Sequence, residues 1–303
     1  MILAAEKRSF LQKEKVKGDV YIMASKRGSL SINSDNIFPI IKKWLYSDHD
    51  IFFRELISNG CDAITKLKKL EVMGEYTFPE NHKNQIQVIV NPEEKTLKFI
   101  DTGLGMTADE VEEYITQIAF SGATQFLEKY KDKTNEDQII GHFGLGFYSA
   151  FMVADVVEID TLSYREGAQA VHWSCDGGTE YELEDSIEFA NEYRAREVIE
   201  KYCSFMPVEI YLSKANAPQE YETIDEADLR EDDVVVEHIH EDAKTEEKEN
   251  ENGEKEVVEV SPAKDQVKIN KRPVSLSDTQ PLWMKHPNEC TEEEYKEFYR
   301  KVF

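Results

Sequence analysis

The stretch from Phe53 to Leu67, FRELISNGCDAITKL, constrains the fold and chemistry of this 303-residue chain more than any other. Read as a helix, with about 100° per residue, it places Glu55, Asn59 and Asp62 in one narrow polar stripe. The residues directly beside that stripe are apolar: Phe52, Leu56, Ala63 and Leu67. A carboxylate and an amide one turn apart can position a water molecule and bind a hard cation such as Mg²⁺. The alternative, the edge of an ordinary solvated face, stays open on this stretch alone.

The order of the predicted elements indicates the fold class. Asp48 or Asp50 is expected to cap the central helix, and Thr107 with Glu110 forms a predicted capping box. Without regular βαβ alternation, the best fit is an α+β two-layer sandwich, in which helices cover one face of a mixed, mostly antiparallel sheet. Apolar periodicity predicts helices over 36–47, 51–70, 110–120, 146–154 and 188–202, and strands over 85–90, 96–100, 155–163, 168–175, 179–183 and 208–212.

Charge is distributed unevenly along the chain. Of the formal net charge of −25, residues 218–262 carry −14, from 18 acidic and 4 basic side chains. This segment has the composition of a disordered linker, in which the valines could form one isolated hairpin. An acidic surface repels phosphate backbones, so we expect no nucleic-acid partner.

The cysteines and the apolar runs bear on location. Cys61, Cys175, Cys203 and Cys290 are widely separated, without the spacing of a metal site. We therefore expect reduced thiols and a cytoplasmic protein. No run of 18 apolar residues is present, so we expect no association with a membrane.

Two glycine-containing motifs follow the central helix. DTGLGMT, residues 101–107, places Asp101 at the end of a predicted strand, where its carboxylate can accept a hydrogen bond from an exocyclic amine. Met106 can pack against a ring. A calcium loop or a plain tight turn is the alternative for this motif.

GHFGLGF, residues 141–147, resembles a phosphate cradle at the start of a helix, although no Lys-Ser/Thr pair follows as in a Walker A motif.

The motifs ELISNGCDA, DTGLGMT and GHFGLGFYSAF, in this order, resemble the adenine-nucleotide pocket shared by gyrase, sensor histidine kinases and heat-shock chaperones. The sequence INSDNIFPIIKKWLYSDHDIFFRELISNGCDAITKLKKL and the later PLWMKHPNECTEEEYKEFY are similar to the bacterial heat shock protein 90 family. The resemblance covers residues 28–213 and 276–303. It implies a Bergerat-type ATP-binding fold.

The resemblance also implies a function. It is that of a cytosolic chaperone that binds ATP or ADP with Mg²⁺, hydrolyses ATP slowly, assists unfolded or partly folded client proteins and forms a homodimer in its full-length form. A nucleotide-sensing module without turnover is the alternative. No phosphoacceptor histidine helix precedes the pocket, and no DNA-handling portion accompanies it, which disfavours a sensor kinase or a gyrase.

The resemblance assigns roles to individual residues. Glu55 would be the general base, Asn59 the Mg²⁺ ligand, and Asp101 the partner of the adenine amino group. Asp62 and Lys66 would lie at the rim near the sugar and phosphates. The remaining residues assigned to the nucleotide line the ring, the lid or the phosphates: Gly105, Met106, Ser121, Gly122, Gly141, His142, Phe143, Gly144, Leu145, Gly146 and Phe147.

This chain departs from the family pattern at four places. Tyr114 and Phe120 stand where members often carry Asn and Lys, and SGAT, residues 121–124, replaces the commoner Ser-Gly-Thr. A strand with a Gly-Thr pair, usual after the position of Glu184, is missing here. These departures leave the affinity for nucleotide and the behaviour of the lid open.

The resemblance and the composition together divide the chain into four parts. We expect a disordered extension over residues 1–27, with Met23 as the true start, and an ATP-binding domain over 28–215. An acidic linker over 216–272 and the start of a truncated middle domain over 273–303 complete the expected organisation.

Overall fold

The computed structural model describes residues 15–16, 20–21, 48–115, 140, 146–176, 190–249 and 255–302. Its helices are α1 (Ile51–Val72), α2 (Ala108–Ile115), α3 (Glu192–Cys203) and α4 (Glu292–Val302), with a 3₁₀ helix over Gly146–Met152. Its strands are β1 (Lys15–Val16), β2 (Val20–Tyr21), β3 (Gln85–Asn91), β4 (Thr96–Asp101), β5 (Val157–Thr161), β6 (Val171–Cys175), β7 (Glu209–Lys214), β8 (Tyr221–Asp225), β9 (Val235–Glu241), β10 (Lys244–Glu249), β11 (Lys255–Ser261) and β12 (Lys264–Asn270).

A three-stranded mixed sheet supports the central helix. Strand β3 pairs antiparallel with β4 and parallel with β7, giving the order β4-β3-β7. Strands β5 and β6 form a separate antiparallel pair. On β3, Ile86, Val88 and Val90 alternate with less buried residues, so that one face of the strand is buried. The predicted α+β fold class is confirmed.

The main core lies between this face of the sheet and the helices α1 and α3. It is built from aliphatic, aromatic and cysteine side chains, because burying such surface is the main favourable term in folding. Its fully buried members are Phe53, Ile57, Cys61 and Ile64 of α1, Val88 and Val90 of β3, Ala195, Val198, Ile199 and Cys203 of α3, and Ile210 of β7. This packing fixes the orientation of α1 and therefore the direction in which its polar stripe faces.

The start of α1 differs from the prediction. Asp50 occupies the N-cap position, yet its side chain makes no capping hydrogen bond. Asp48 accepts from the backbone N–H of Asp50 at 3.1 Å, whereas the Asp50 carboxylate, only 4% exposed, pairs with Arg194 of α3 at 2.5 Å. The acid that we expected to cap α1 instead ties it to α3.

Replacing Arg194 with methionine is expected to lower the free energy of unfolding by about 3 kcal/mol, because it leaves the Asp50 carboxylate buried without its close partner. In this variant the Nζ of Lys201, 3.9 Å from Asp50 Oδ2, is only a weak replacement for the Arg194 guanidinium. Arg196→Met is the matched control, since Arg196 makes only exposed pairs with Glu192 and Glu200, at 3.7 and 3.9 Å. Urea unfolding measures both variants, and equal midpoints would contradict the structural importance of the Asp50–Arg194 pair.

The acidic segment contains a sheet where composition favoured a disordered tether. Strand β12 pairs antiparallel with both β8 and β9. Val267 and Ile269 of β12 are fully buried and alternate with polar residues, which is the pattern of a half-buried strand. Strands β10 and β11 form a further antiparallel hairpin. The segment thus forms strands instead of the expected disordered linker, because a few apolar residues alternate with its charged residues. The domain boundaries remain a prediction.

The segment after β12 packs against the main core. The N–H of Leu276 donates to the carbonyl oxygen of Ile210 in β7 at 2.8 Å, and the Leu276 side chain contacts the core. Further on, the rings of Phe205, Trp283 and Phe298 contact one another, which attaches α4 to the end of α3. Within the described ranges, no helix combines the length and the apolar character that crossing a membrane requires.

Candidate functional site

The polar stripe of α1 runs along the edge of the core. Glu55 and Lys66 are half-buried, Asn59 is exposed, and Asp62 is 6% exposed. Glu55 and Asp62 are seven residues apart and therefore lie on the same face of the helix, with Asn59 between them. The structure thus gathers four of the predicted site residues along one helix.

The loop that follows β4 is held tightly against this helix. Gly60 of α1 lies under Asp101, since a Cβ built on Gly60 falls 3.2 Å from the Cβ of Asp101. Gly103 lies against Ala63, where an added Cβ would come within 2.5 Å of the alanine methyl group. The N–H of Leu104 donates to the carbonyl oxygen of Ala63 at 3.3 Å. Asp101 is therefore brought beside the polar stripe.

The other side of the loop rests on β5 and the residues after it. The N–H of Met106 donates to Thr161 Oγ1 at 2.9 Å, and Tyr164 N donates to the carbonyl oxygen of Leu104 at 2.8 Å. Gly105 has φ +61°, and an added Cβ would fall 1.9 Å from the carbonyl oxygen of Leu162. Gly105 and Met106 are thus fixed between α1 and the β5 region.

Sequence reasoning missed two of these supports. Thr161 carries no local motif, so nothing in its neighbourhood identified its hydrogen bond to Met106. Gly60 did offer a signal, because a glycine inside a helix is about 1 kcal/mol less favourable than alanine and therefore indicates close packing.

Two further backbone positions meet the polar stripe. The N–H of Ile140 donates to Asp62 Oδ1 at 2.8 Å. Gly146, the first residue of the 3₁₀ helix, lies so close to Glu55 that an added Cβ would fall 2.6 Å from Glu55 Oε2. Phe147 points into a second apolar cluster, where its ring contacts Trp173. The predicted site residues Ser121, Gly122, Gly141, His142, Phe143, Gly144 and Leu145 lie outside the described residues, as do Phe120 and the region around Glu184.

Burial sets the electrostatics of the site. Desolvation raises the pKa of Glu55, against the opposing charge of Arg54. It also raises the pKa of Asp101, whose Oδ1 accepts from Gly103 N at 2.8 Å, although by accessible surface the residue is exposed. Desolvation lowers the pKa of Lys66, opposed by Asp62. Shifts of the pKa that arise from desolvation of several neighbouring groups are typical of functional sites.

The arrangement offers a distinct chemical role to each polar group. Asp101 can accept a hydrogen bond from a ligand amine, the exposed amide of Asn59 can contact a cation, and Glu55 can accept a proton. Among the described residues, no group of three or more His, Cys, Asp and Glu side chains could hold a metal ion alone. A cation here would need oxygen atoms from a ligand or from water, which is the usual situation for Mg²⁺.

The comparisons with known proteins point to one family. The family model described as histidine kinase-, DNA gyrase B- and HSP90-like ATPase matches residues 52–197. The model described as Hsp90 protein matches residues 188–303. The two matches overlap at residues 188–197, and the ATPase match contains α1 from its second residue and both glycine motifs.

Curated relatives agree with these matches. The chaperone protein HtpG of Bacteroides thetaiotaomicron is 40% identical over 294 residues, which cover 91% of this chain and 36% of that protein. HtpG of Porphyromonas gingivalis is 40% identical over 296 residues, covering 92% and 36%. HtpG of Desulfitobacterium hafniense is 29% identical over 285 residues. The chain spans little more than a third of the length of these relatives, and it belongs to the Hsp90 family.

Proposed function

We propose that this chain binds ATP along the polar stripe of α1 and hydrolyses it slowly. The observation that carries the proposal is the close packing of Gly60 against Asp101 and of Gly103 against Ala63, which sets Asp101 beside the part of α1 that carries Asn59 and Asp62. The loop after β4 thereby brings a group suited to bind an adenine amine next to the groups on α1 that are suited to bind phosphates and a cation. The match to an ATPase family model over residues 52–197 supports this reading.

Asp101 accepts the hydrogen bond of the adenine amino group, and Gly105 and Met106 line the ring. Asp62 and Lys66 lie near the sugar and phosphates. The lid and phosphate contacts are assigned to Ser121, Gly122 and the backbone of residues 141–147, as the family pattern indicates. The support for the adenine end is the rigid attachment of its loop, by Met106 N to Thr161 and by Leu104 N to Ala63.

Mg²⁺ is the expected cation, and the residues present fit it. Asn59 is exposed on the stripe one turn from Glu55, so its amide oxygen is available as a single protein ligand. An Mg²⁺ ion held there would supply neutralisation of the phosphate charge.

Glu55 acts as the general base. It accepts a proton from the water that attacks the terminal phosphorus, a new P–O bond forms to that water oxygen, and the P–O bond to ADP breaks. Burial raises the pKa of Glu55, which makes its carboxylate a stronger base than an exposed glutamate. The match to an ATPase family model favours turnover over nucleotide sensing alone.

The relatives are named chaperones, so we extend the proposal to the context of the reaction. ATP binding and turnover here serve the assisted folding of unfolded or partly folded proteins, in a cytoplasmic homodimer of the complete protein. The wide spacing of the four cysteines along the sequence is compatible with a reducing compartment.

Calorimetric titration with ADP and Mg²⁺ tests the proposal, and Asp101→Asn is the informative variant. We expect the parent to bind and the variant to lose at least about tenfold in affinity, because an amide cannot match a carboxylate as acceptor. Asp109→Asn, an exposed acid on α2, is the matched control. Absence of binding by the parent, or equal binding by Asp101→Asn, would overturn the assignment.

A further inference from the structure

A hydrogen bond links α1 to a residue 78 positions away along the chain. Asp62 Oδ1 accepts from the backbone N–H of Ile140 at 2.8 Å. Asp62 is 6% exposed, although aspartate is rarely buried without a specific partner. Its burial therefore has a structural reason that does not depend on a ligand.

The charges around Asp62 compensate its carboxylate. Lys66 and Lys69 follow it on α1 by four and seven residues, and Asp62 acts on both ammonium groups, opposing the effect of burial on their pKa values. The Nζ of Lys69 is buried and has no hydrogen-bond partner among the described residues. The carboxylate thus has two cationic side chains on its own helix while it accepts from Ile140.

Ile140 immediately precedes Gly141, and Gly146 lies against Glu55. The chain thus meets α1 at Asp62 just before the glycine motif and at Glu55 within the motif, at Gly146. Glu55 and Asp62 are about 10 Å apart along the helix, at 1.5 Å per residue. Ile140 and Gly146 therefore both meet the face of α1 that also carries Asn59.

We propose that Asp62 is a positioning residue, which fixes the backbone at Ile140 and so sets where the glycine motif begins relative to α1. The inference rests on the proposed function and deepens it. Asp62 then influences the part of the nucleotide that the glycine motif meets, its phosphates, and not the adenine ring at Asp101. A residue that merely lined the ligand would need no bond to Ile140.

Two substitutions separate the hydrogen bond from the charge. Asp62→Leu removes the acceptor, whereas Asp62→Asn keeps an acceptor oxygen without the charge. Glu71→Leu, an exposed acid on the same helix, is the matched control. The first readout is amide hydrogen exchange of Ile140 in the nucleotide-free ¹⁵N-labelled chain. The second readout is a pair of affinities, one for ADP with Mg²⁺ and one for adenosine, both measured by NMR titration.

In Asp62→Leu we expect faster exchange at Ile140, about tenfold weaker ADP binding and adenosine binding within about twofold of the parent. In Asp62→Asn we expect Ile140 to stay protected and ADP binding to fall by less than in Asp62→Leu. These three results together support positioning, since direct contact with the ligand does not alter the free chain.

Other results overturn the inference. Unchanged amide exchange at Ile140 in Asp62→Leu would overturn it. Equal losses of affinity for adenosine and for ADP in Asp62→Leu would also do so. So would an equal loss of ADP affinity in both variants while the Ile140 amide of Asp62→Asn stays protected from exchange. A parent that binds neither ADP nor adenosine would instead overturn the proposed function. In that case faster exchange at Ile140 in Asp62→Leu would still support the positioning role of Asp62.

Discussion

Replacement of Glu55 by glutamine is expected to abolish ATP hydrolysis while ADP binding persists. Glutamine has nearly the same shape but cannot accept the proton of the attacking water, and loss of a general base typically lowers the rate by 100-fold or more, up to about 10⁴-fold. Gly146 leaves no space for a larger group, so an isosteric change is the appropriate one. Phosphate release at saturating ATP measures turnover, and calorimetry with ADP measures binding.

The raised pKa of Glu55 gives this variant a second signature. Turnover needs the ionised carboxylate, so the rate of the parent falls as pH drops through this raised value. The effect of pH on stability has the opposite sign. Below the unfolded-state pKa of about 4.5, Glu55 is neutral and the folded state accommodates it well. As pH rises towards the raised pKa of the folded state, ionisation of the Glu55 carboxylate destabilises the folded state. Glu55→Gln is therefore expected to melt at a higher temperature than the parent at pH 7.5, with the difference disappearing near pH 4.

Glu71→Gln controls for the change of charge, since Glu71 is an exposed acid of α1 outside the site. We expect it to leave both turnover and the pH profile as in the parent. Phosphate release by Glu55→Gln at the parental rate would remove Glu55 from the mechanism. A parent rate independent of pH between about 4.5 and 7.5 would contradict the raised pKa as the controlling feature.

The parts of the fold that depend on local pattern could be predicted from the sequence. Strands β3 and β4 were placed to within one residue, since their apolar alternation and the turn between them lie within a short stretch. The capping box at the start of α2 is present, with Thr107 N donating to Glu110 Oε2 at 2.8 Å and Glu110 N to Thr107 Oγ1 at 3.4 Å. Each of these features needs only residues that are close in the chain.

The parts that depend on distant residues could not be predicted. The bond of Met106 to Thr161 spans 55 positions, and that of Ile140 to Asp62 spans 78. The sheet in the acidic segment depends on Val267 and Ile269 finding a covered face, whereas composition averages those residues with their charged neighbours. Such contacts arise from tertiary packing, which a single sequence read locally does not encode in any recognisable motif.

Gly105→Ala is expected to cause the largest loss of stability of any single methyl addition in the site. Gly105 has φ +61°, and its added Cβ would lie 1.9 Å from the carbonyl oxygen of Leu162, a backbone atom that cannot rotate away. Either the loop or the segment after β5 must move. We expect the free energy of unfolding to fall by about 3 kcal/mol or more, and ADP binding to weaken with it, because the same loop carries Asp101 and Met106.

Gly74→Ala and Gly167→Ala isolate the steric part of this effect. Both glycines have positive φ, +75° and +76°, but an added Cβ meets nothing within 4 Å at either position. Each control therefore carries only the strain of a left-handed alanine, about 1 kcal/mol. Urea unfolding compares the three variants, and calorimetry with ADP follows the site. If Gly105→Ala loses no more stability than the controls, the loop is not clamped between α1 and the residues after β5, and the rigid placement of Asp101 loses its support.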